Sequence, residues 1–349
     1  MQDRLIEGYA CKVARAPDPT ENGRYRSASR RVSGLGVACL VRQPAVPEPQ
    51  RQRILALAEE HGYVVNQAAR NLRLQSTRTI GLVLPMGHEV DQQITDPFQL
   101  ELIGHLSEAV FRRGYDLLIS KIHDARPGWL KTLVQSHRFD AMLVLGQSDQ
   151  HDALNELATH YDPMVVWGEH LPDQRYCSVG VDNVLGGRLA TEHLLTRGRK
   201  RILFMGPSKV PEGAARQQGF KDALVAAGCP TGPDQIVETG FVEADARASA
   251  SALIARDRHF DAVFAASDVI ALALITALKD AGRSVPEDVS VCGFDDVALA
   301  RHLNPPLTTI RQPLSVGGQT MVDLLFQRMG GEHAGSVLIP AELVVRGST

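Results

Sequence analysis

The sequence predicts an α/β protein of two lobes, each built on a parallel sheet and preceded by a small basic unit at the N-terminal end. Three observations predict it. Beyond Arg78, short apolar runs alternate with segments of helical character in two successive series. The formal charge of −3 is divided unevenly, with 13 Arg/Lys against 7 Asp/Glu in residues 1–80 and 24 against 33 in residues 81–349. Between the two regions, residues 59–85 pass from the end of an amphipathic helix, through a short segment led by Asn66, into the apolar run Ile80 to Leu84. A basic end on an acidic body is the charge pattern of a chain that meets nucleic acid at one end only.

The first 42 residues are rich in Arg, Pro, Gly and Ser and carry no sustained helical period. Gly34 and Gly36 fall where a continuous helix would be wanted, each costing about 1 kcal/mol relative to alanine. From Arg51 to His61 a helix is expected that buries Ile54, Leu55 and Leu57 or Ala58 and ends at Gly62. Asn66 is a good helix cap and Gln67 to Leu74 are mostly good helix formers. A helix that short needs a partner to be stable. Arg70, Arg73 and Arg78 suggest an anionic one. The same residues also read as a domain linker whose Leu72 packs on the core.

The first series has expected strands at Ile80–Leu84, Asp116–Ser120, Ala141–Leu145 and Met164–Trp167, with helices near Gln99–Arg113, Trp129–His137 and Asp152–His160. In the second, strands are expected at Arg201–Met205, Gln235–Glu238, Ala262–Ala265 and Ser290–Cys292. Its helices are expected near Leu185–Arg197, Ala214–Ala227, Ala244–Arg256 and Val269–Ala281. Strands separated by single helices form parallel sheets. Two such series make two Rossmann-like lobes, with ligand expected in the cleft at the carboxyl ends of their strands.

Particular wording adds to this. Gly62-Tyr63-x-x-Asn66-x-x-Ala69-x-x-Leu72, followed by Thr79-Ile80-Gly81, closely resembles the hinge of the lactose/galactose repressor (LacI/GalR) family of bacterial transcription regulators. Further matches to that family are Asp96-Pro97-Phe98, Val181-Asp182-Asn183, Arg216 to Phe220, Ser267-Asp268, Gly293 to Asp296 and Pro305 to Pro313. The resemblance covers about residues 43–349. It implies the periplasmic-binding-protein type I fold, with the chain crossing between lobes near Ser178 and Pro306. It divides the chain into an N-terminal headpiece (1–62), a hinge (63–78) and a two-lobed effector-binding and dimerisation domain (79–349). It also implies a homodimer or higher homo-oligomer whose paired hinge helices enter the minor groove of operator DNA. Leu72 matches the leucine that wedges a base step open and Ala69 the small residue near it; Gln67, Arg70 and Arg73 complete the expected DNA-binding set. The family's helix-turn-helix wording, Ala-x-x-x-Gly-Val-Ser-x-x-Thr-Val-Ser-Arg, is not present. Arg31 to Leu40 is the nearest stretch and has neither its order nor its spacing, so residues 1–42 depart from the pattern and the headpiece is expected to be incomplete.

For the effector, Arg216, Asp268 and Asp295 are expected to converge on the cleft side of the second lobe. Carboxylates accept from vicinal hydroxyls and a guanidinium donates in a fork, while Phe98 or Trp167 could cover an apolar ring face. That chemistry suits a sugar. By resemblance, Arg216 and Asp295 match ligand-contacting positions, and Ser267 stands where the family usually has asparagine. Each has a plainer reading: Asp268 as the cap of the following helix, Asp296 as a loop or cap residue, Phe98 and Trp167 as core.

Catalysis, metal and cofactor find no support. There is no Gly-x-Ser-x-Gly elbow, His-Glu-x-x-His pair or P-loop, and Asp295 and Asp296 are adjacent, which does not suit facing carboxylates. The five scattered cysteines form no Cys-x-x-Cys pair. With no signal peptide and no membrane-length apolar run, a cytoplasmic regulator is expected. The alternative is a sugar-binding sensor module without DNA-binding function.

Overall fold

Runs such as Ala141-Met-Leu-Val-Leu145 are apolar at every position because both faces of their strands are covered, so parallel strands show no alternation. In the computed structural model the described residues are 52, 76–85, 94–122, 126, 128–256 and 259–349. Of the expected helix Arg51–His61 only Gln52 is described, and it is helical and exposed; the Asn66-led segment and the DNA-binding residues Gln67, Ala69, Arg70, Leu72 and Arg73 lie outside the described residues. The chain divides into two units, Met1–Thr77 and Arg78–Thr349, and the second contains both lobes.

The first lobe is built from β1 (Thr79–Pro85), α1 (Pro97–Arg112), β2 (Asp116–Ile122), α2 (Trp129–Gln135), β3 (Ala141–Leu145), α3 (His151–Ala158), β4 (Met164–Trp167) and β5 (Cys177–Val181). The second takes α4 (Asn183–Thr196), β6 (Ile202–Gly206), α5 (Pro211–Ala226), β7 (Ile236–Glu238), α6 (Glu243–Arg256), β8 (Ala262–Ala265), α7 (Asp268–Asp280), β9 (Ser290–Asp295) and β10 (Thr308–Arg311). Helix α8 (Leu314–Met329) and strands β11 (Val337–Ile339) and β12 (Glu342–Val344) follow. Among the described residues the two sheets run β2-β1-β3-β4-β5-β11 and β7-β6-β8-β9-β10-β12, the same order twice. All pairings are parallel except β10 with β12.

The chain crosses between lobes three times. The first crossing lies at Asp182, between β5 and α4, a few residues later than expected at Ser178. The second lies at Gln312-Pro313 rather than near Pro306, because Thr308–Arg311 first adds a strand beside β9. The third, at Pro340-Ala341 between β11 and β12, was not expected. Strands β5, β10, β11 and β12 are all absent from the expected set: β5 and β10 have Ser178, Gly180, Thr308 and Thr309 in their runs, and β11 and β12 are short and lie two residues apart with no helix between them.

Side-chain caps fix where three helices begin. Asp96 accepts from Gln99 N at 3.2 Å with Pro97 as first helical residue, Asp182 accepts from Leu185 N at 2.8 Å, and Ser267 accepts from Ile270 N at 3.2 Å. Helices α4 and α5 approach closely because of glycine. A Cβ on Gly187 would strike Arg216 O, and one on Gly219 would strike Val184 O. Among the described residues no helix is long and apolar enough to cross a membrane.

Candidate functional site

A cavity opens between the lobes at the carboxyl ends of the strands, where parallel α/β sheets bind ligands. From the first lobe, Pro85 closes β1, Leu145 and Gly146 close β3, and Trp167 closes β4; Asp96, Phe98 and Gln99 come from the start of α1. From the second, Ser267 follows β8, Asp295 ends β9, and Glu212 and Arg216 lie on the first turns of α5. Gln312, at the second crossing, completes the floor.

Arg216 is the central donor and is 5 % exposed. Its Nε donates to Asn183 Oδ1 at 2.8 Å and its Nη1 to Ala266 O at 2.5 Å. The guanidinium carbon lies 3.7 Å above the Phe294 ring centroid, a cation–π contact. Nη1 is 3.9 Å from Asp295 Oδ1. Burial pulls the Arg216 pKa down, and the facing carboxylates, Asp295 first, oppose that.

Asp295 accepts a 2.7 Å bond from Gln312 Nε2. Burial pushes its carboxyl up to about 7 against the pull of Arg216, with Asp96 adding to the rise. Its φ of +119°, followed by +57° at Asp296, places the backbone where side chains other than glycine are strained. Such strain concentrates at ligand sites. Asp296 turns away and is held by Arg311 Nε at 2.8 Å and Arg346 Nη2 at 2.5 Å.

Five of the six expected effector residues line the cavity: Phe98, Trp167, Arg216, Ser267 and Asp295. Phe98 and Trp167 are 6.2 Å apart at 52°, and Trp167 is also core, filling the space a side chain on Gly317 would take. Asp268 does not join them. Its Oδ2 accepts from Val297 N at 3.0 Å and its Oδ1 from Thr309 Oγ1 at 2.5 Å, so it ties the loop after β9 to β10. It is not the helix cap either; Ser267 is. Burial raises its carboxyl well above the ordinary range, with Asp295 adding to the rise.

Sequence reasoning missed Asp96, Gln99, Ser148, Glu212, Phe241 and Gln312 as lining residues. Three carried a signal. Glu212 stands four residues before Arg216 and therefore on the same helix face, and Asp96 and Gln312 lie in the family wordings Asp96-Pro97-Phe98 and Pro305 to Pro313, which do not single them out as site residues. Behind Arg216, Asn183 Nδ2 donates at 2.8 Å to Glu169 Oε2, a first-lobe carboxylate raised mainly by burial. Glu169 is itself positioned by Gln147, whose Oε1 accepts from its backbone N at 2.9 Å.

Residues 191–349 match the periplasmic binding protein-like domain family. The HTH-type transcriptional repressor CytR of Escherichia coli (strain K12) is 32 % identical over 315 residues, covering 89 % of this chain and 90 % of that protein. The HTH-type transcriptional regulator CelR of Thermobifida fusca is 32 % identical over 309 residues, covering 85 % and 89 %. Among solved structures, a transcriptional regulator CelR–cellobiose complex superposes with a TM-score of 0.71 at 29 % identity, over 89 % of this chain and 94 % of that one. A LacI family regulator from Enterococcus faecium with bound ribose gives 0.67 at 29 %, over 78 % and 98 %. The twofold strand order, the cleft and these relatives agree: the chain belongs to the lactose/galactose repressor (LacI) family of transcription regulators.

Proposed function

We propose that this protein is a cytoplasmic DNA-binding repressor whose affinity for its operator is set by a small sugar held between the lobes. The observation that carries the reading is the convergence of Arg216, Asp295, Phe98 and Trp167 on one cavity, from both lobes and four separate elements. A guanidinium, a carboxylate and two aromatic faces are the equipment for hydroxyls on an apolar ring. Two regulators of similar structure hold cellobiose and ribose, which supports a sugar here. Closing the lobes on a ligand that contacts both shifts the population toward one domain arrangement, and operator affinity follows through residues 63–78.

The working form is a homodimer. On α1, Leu100, Gly104, Ser107 and Phe111 are all exposed and recur at spacings of four, three and four, which places them in one stripe. Phe111 is 73 % and Leu100 49 % exposed, and Ile119 on the neighbouring edge strand β2 is 43 % exposed. A stripe of exposed apolar and small residues of this kind suits a second copy of the chain.

The deciding experiment is fluorescence anisotropy of the purified protein on its own upstream DNA against a scrambled duplex, at fixed salt because phosphate contacts make affinity salt-dependent. Preference for the upstream sequence, altered by added sugar, is the expected result. Equal affinity for both duplexes would leave a sugar sensor without DNA output.

A further inference from the structure

We infer that the effector is an uncharged, unphosphorylated polyol, and that Asp96, at the first-lobe side of the cavity, is the residue that excludes anionic relatives. The inference rests on the proposed effector site and narrows what that site takes.

The charge on the wall points one way. Three carboxylates line the cavity, on Asp96, Glu212 and Asp295, against one guanidinium, on Arg216. That guanidinium is partly engaged, with Nε bonded to Asn183, Nη1 to Ala266 O and one face on Phe294, and the donors it keeps for a ligand are faced by Asp295. A phosphate or carboxylate entering here would meet more negative charge than positive, in a setting where Coulomb interactions are little screened.

The helix geometry agrees. The N-terminus of α1 faces the cavity and would ordinarily be an anion cradle. Asp96 fills it: its Oδ1 takes the Gln99 N–H, and its carboxylate occupies the place an anion would take.

The acceptors on the wall show what is wanted instead. Asp96 and Asp295, from opposite lobes, both line the cavity. Hydroxyls supply donors to both, whereas a phosphate ester supplies acceptors.

The test is isothermal titration of the full chain with ribose, glucose, cellobiose and uridine. These are set against ribose 5-phosphate, glucose 6-phosphate, cellobionate and uridine 5′-monophosphate. The expected result is that a neutral probe binds, and at least about tenfold more tightly than its anionic relative. Asp96→Asn keeps the helix cap and is expected to narrow that ratio by about tenfold while the ligand-free protein melts as before. Tighter binding of any anionic probe than of its parent would overturn the inference and leave the effector site standing. An unchanged ratio in Asp96→Asn would overturn the role of Asp96. Failure of all eight probes would overturn the sugar reading along with the inference.

Discussion

Asn183 and Arg216 are joined by a 2.8 Å hydrogen bond from Nε to the amide oxygen, and the same amide donates at 2.8 Å to Glu169 in the first lobe. Asn183 is the first residue of α4, immediately after the chain has crossed between lobes. Gln312 does the same at the second crossing, donating to Asp295 at 2.7 Å. The two residues that would grip an effector are therefore each tied to a crossing. A ligand that displaces the Arg216–Asp295 pair acts directly on the segments about which the lobes turn, which is the differential contact a conformational switch requires.

Arg216→Ala should abolish the effector response and also destabilise the protein. It removes the partners of Asn183 Oδ1 and Ala266 O and leaves Asp295 buried without its counter-charge, a loss of about 3 kcal/mol. Thermal melts and sugar titrations measure both effects. A variant that melts normally and still responds to sugar would remove Arg216 from the site.

The Asp295 carboxyl gives a pH dependence whose sign is fixed. Its pKa in the folded protein is about 7, above the ordinary value of 3.8, so the native state holds this proton more tightly than the unfolded chain does. The stability it contributes is full below about pH 4 and is lost as pH rises through 7. Asp295→Asn should therefore flatten the decline in melting temperature between pH 5 and pH 8. Ligand hydroxyls that donate to the carboxylate favour its ionised form, so effector affinity should rise with pH across 6 to 8 in the parent and not in the variant. A parent whose affinity is flat over that range would exclude ionised Asp295 as the acceptor.

Gly219→Ala tests how the arginine is held. The added methyl meets Val184 O, so α4 and α5 must separate, and Arg216 lies one turn before Gly219 on the same helix. A destabilisation of about 2 kcal/mol with a weakened effector response is expected. Gly228→Ala gives a useful contrast, since nothing lies within 4 Å of a Cβ there although φ is +68°. Its strain is local, and effector affinity should be kept.

Leu72→Ala should weaken specific operator binding about tenfold or more while leaving effector affinity in the absence of DNA unchanged. Anisotropy on the upstream duplex measures the first and calorimetry the second. Unchanged operator affinity would exclude a wedge at this position.

Phe111→Asp combined with Leu100→Asp should convert a dimer into a monomer of 38.0 kDa, read by light scattering after gel filtration. Both side chains are exposed on α1, so the subunit itself should keep its melting behaviour. A mass unaffected by the two charges would place the subunit contact elsewhere.

The sheets were legible because their strands are buried on both faces. Ala141–Leu145, Met164–Trp167 and Ala262–Ala265 are continuous apolar runs, and the structure starts and ends them where the sequence does. Helix ends shifted by one to three residues: α1 begins at Pro97, two residues earlier than expected, because Asp96 and Pro97 form a cap and first-turn pair. The strands β5, β10, β11 and β12 were not legible, the first two because serine, glycine and threonine interrupt their apolar runs and the last two because no helix separates them to set up the strand–helix alternation. In the site, wording common to the family pointed to Arg216 and Asp295. It could not separate Asp268 from them, because which way a carboxylate turns at the start of a helix depends on Thr309 and the Val297 amide, about 40 and 30 residues downstream. Gln99 and Phe241 had no signal, being ordinary residues that only the closing of two lobes brings to one cavity.

The third crossing has a consequence for how this protein is made. The sheet of the first lobe ends in β11 and that of the second in β12, strands separated by only Pro340 and Ala341. On a ribosome, neither sheet can be completed until residues 337–344 have left the exit tunnel, although most of the first lobe's strands are made more than 150 residues earlier. The nascent chain must therefore carry β5 without its outer neighbour for about 150 residues and β10 without its own for about 30, and both gain that neighbour within moments of each other. Translation stalled or cut short before residue 337 would release a chain whose edges are the longer strands β5 and β10 instead of the three-residue β11 and β12, and long open edges are the surfaces on which unfinished proteins aggregate.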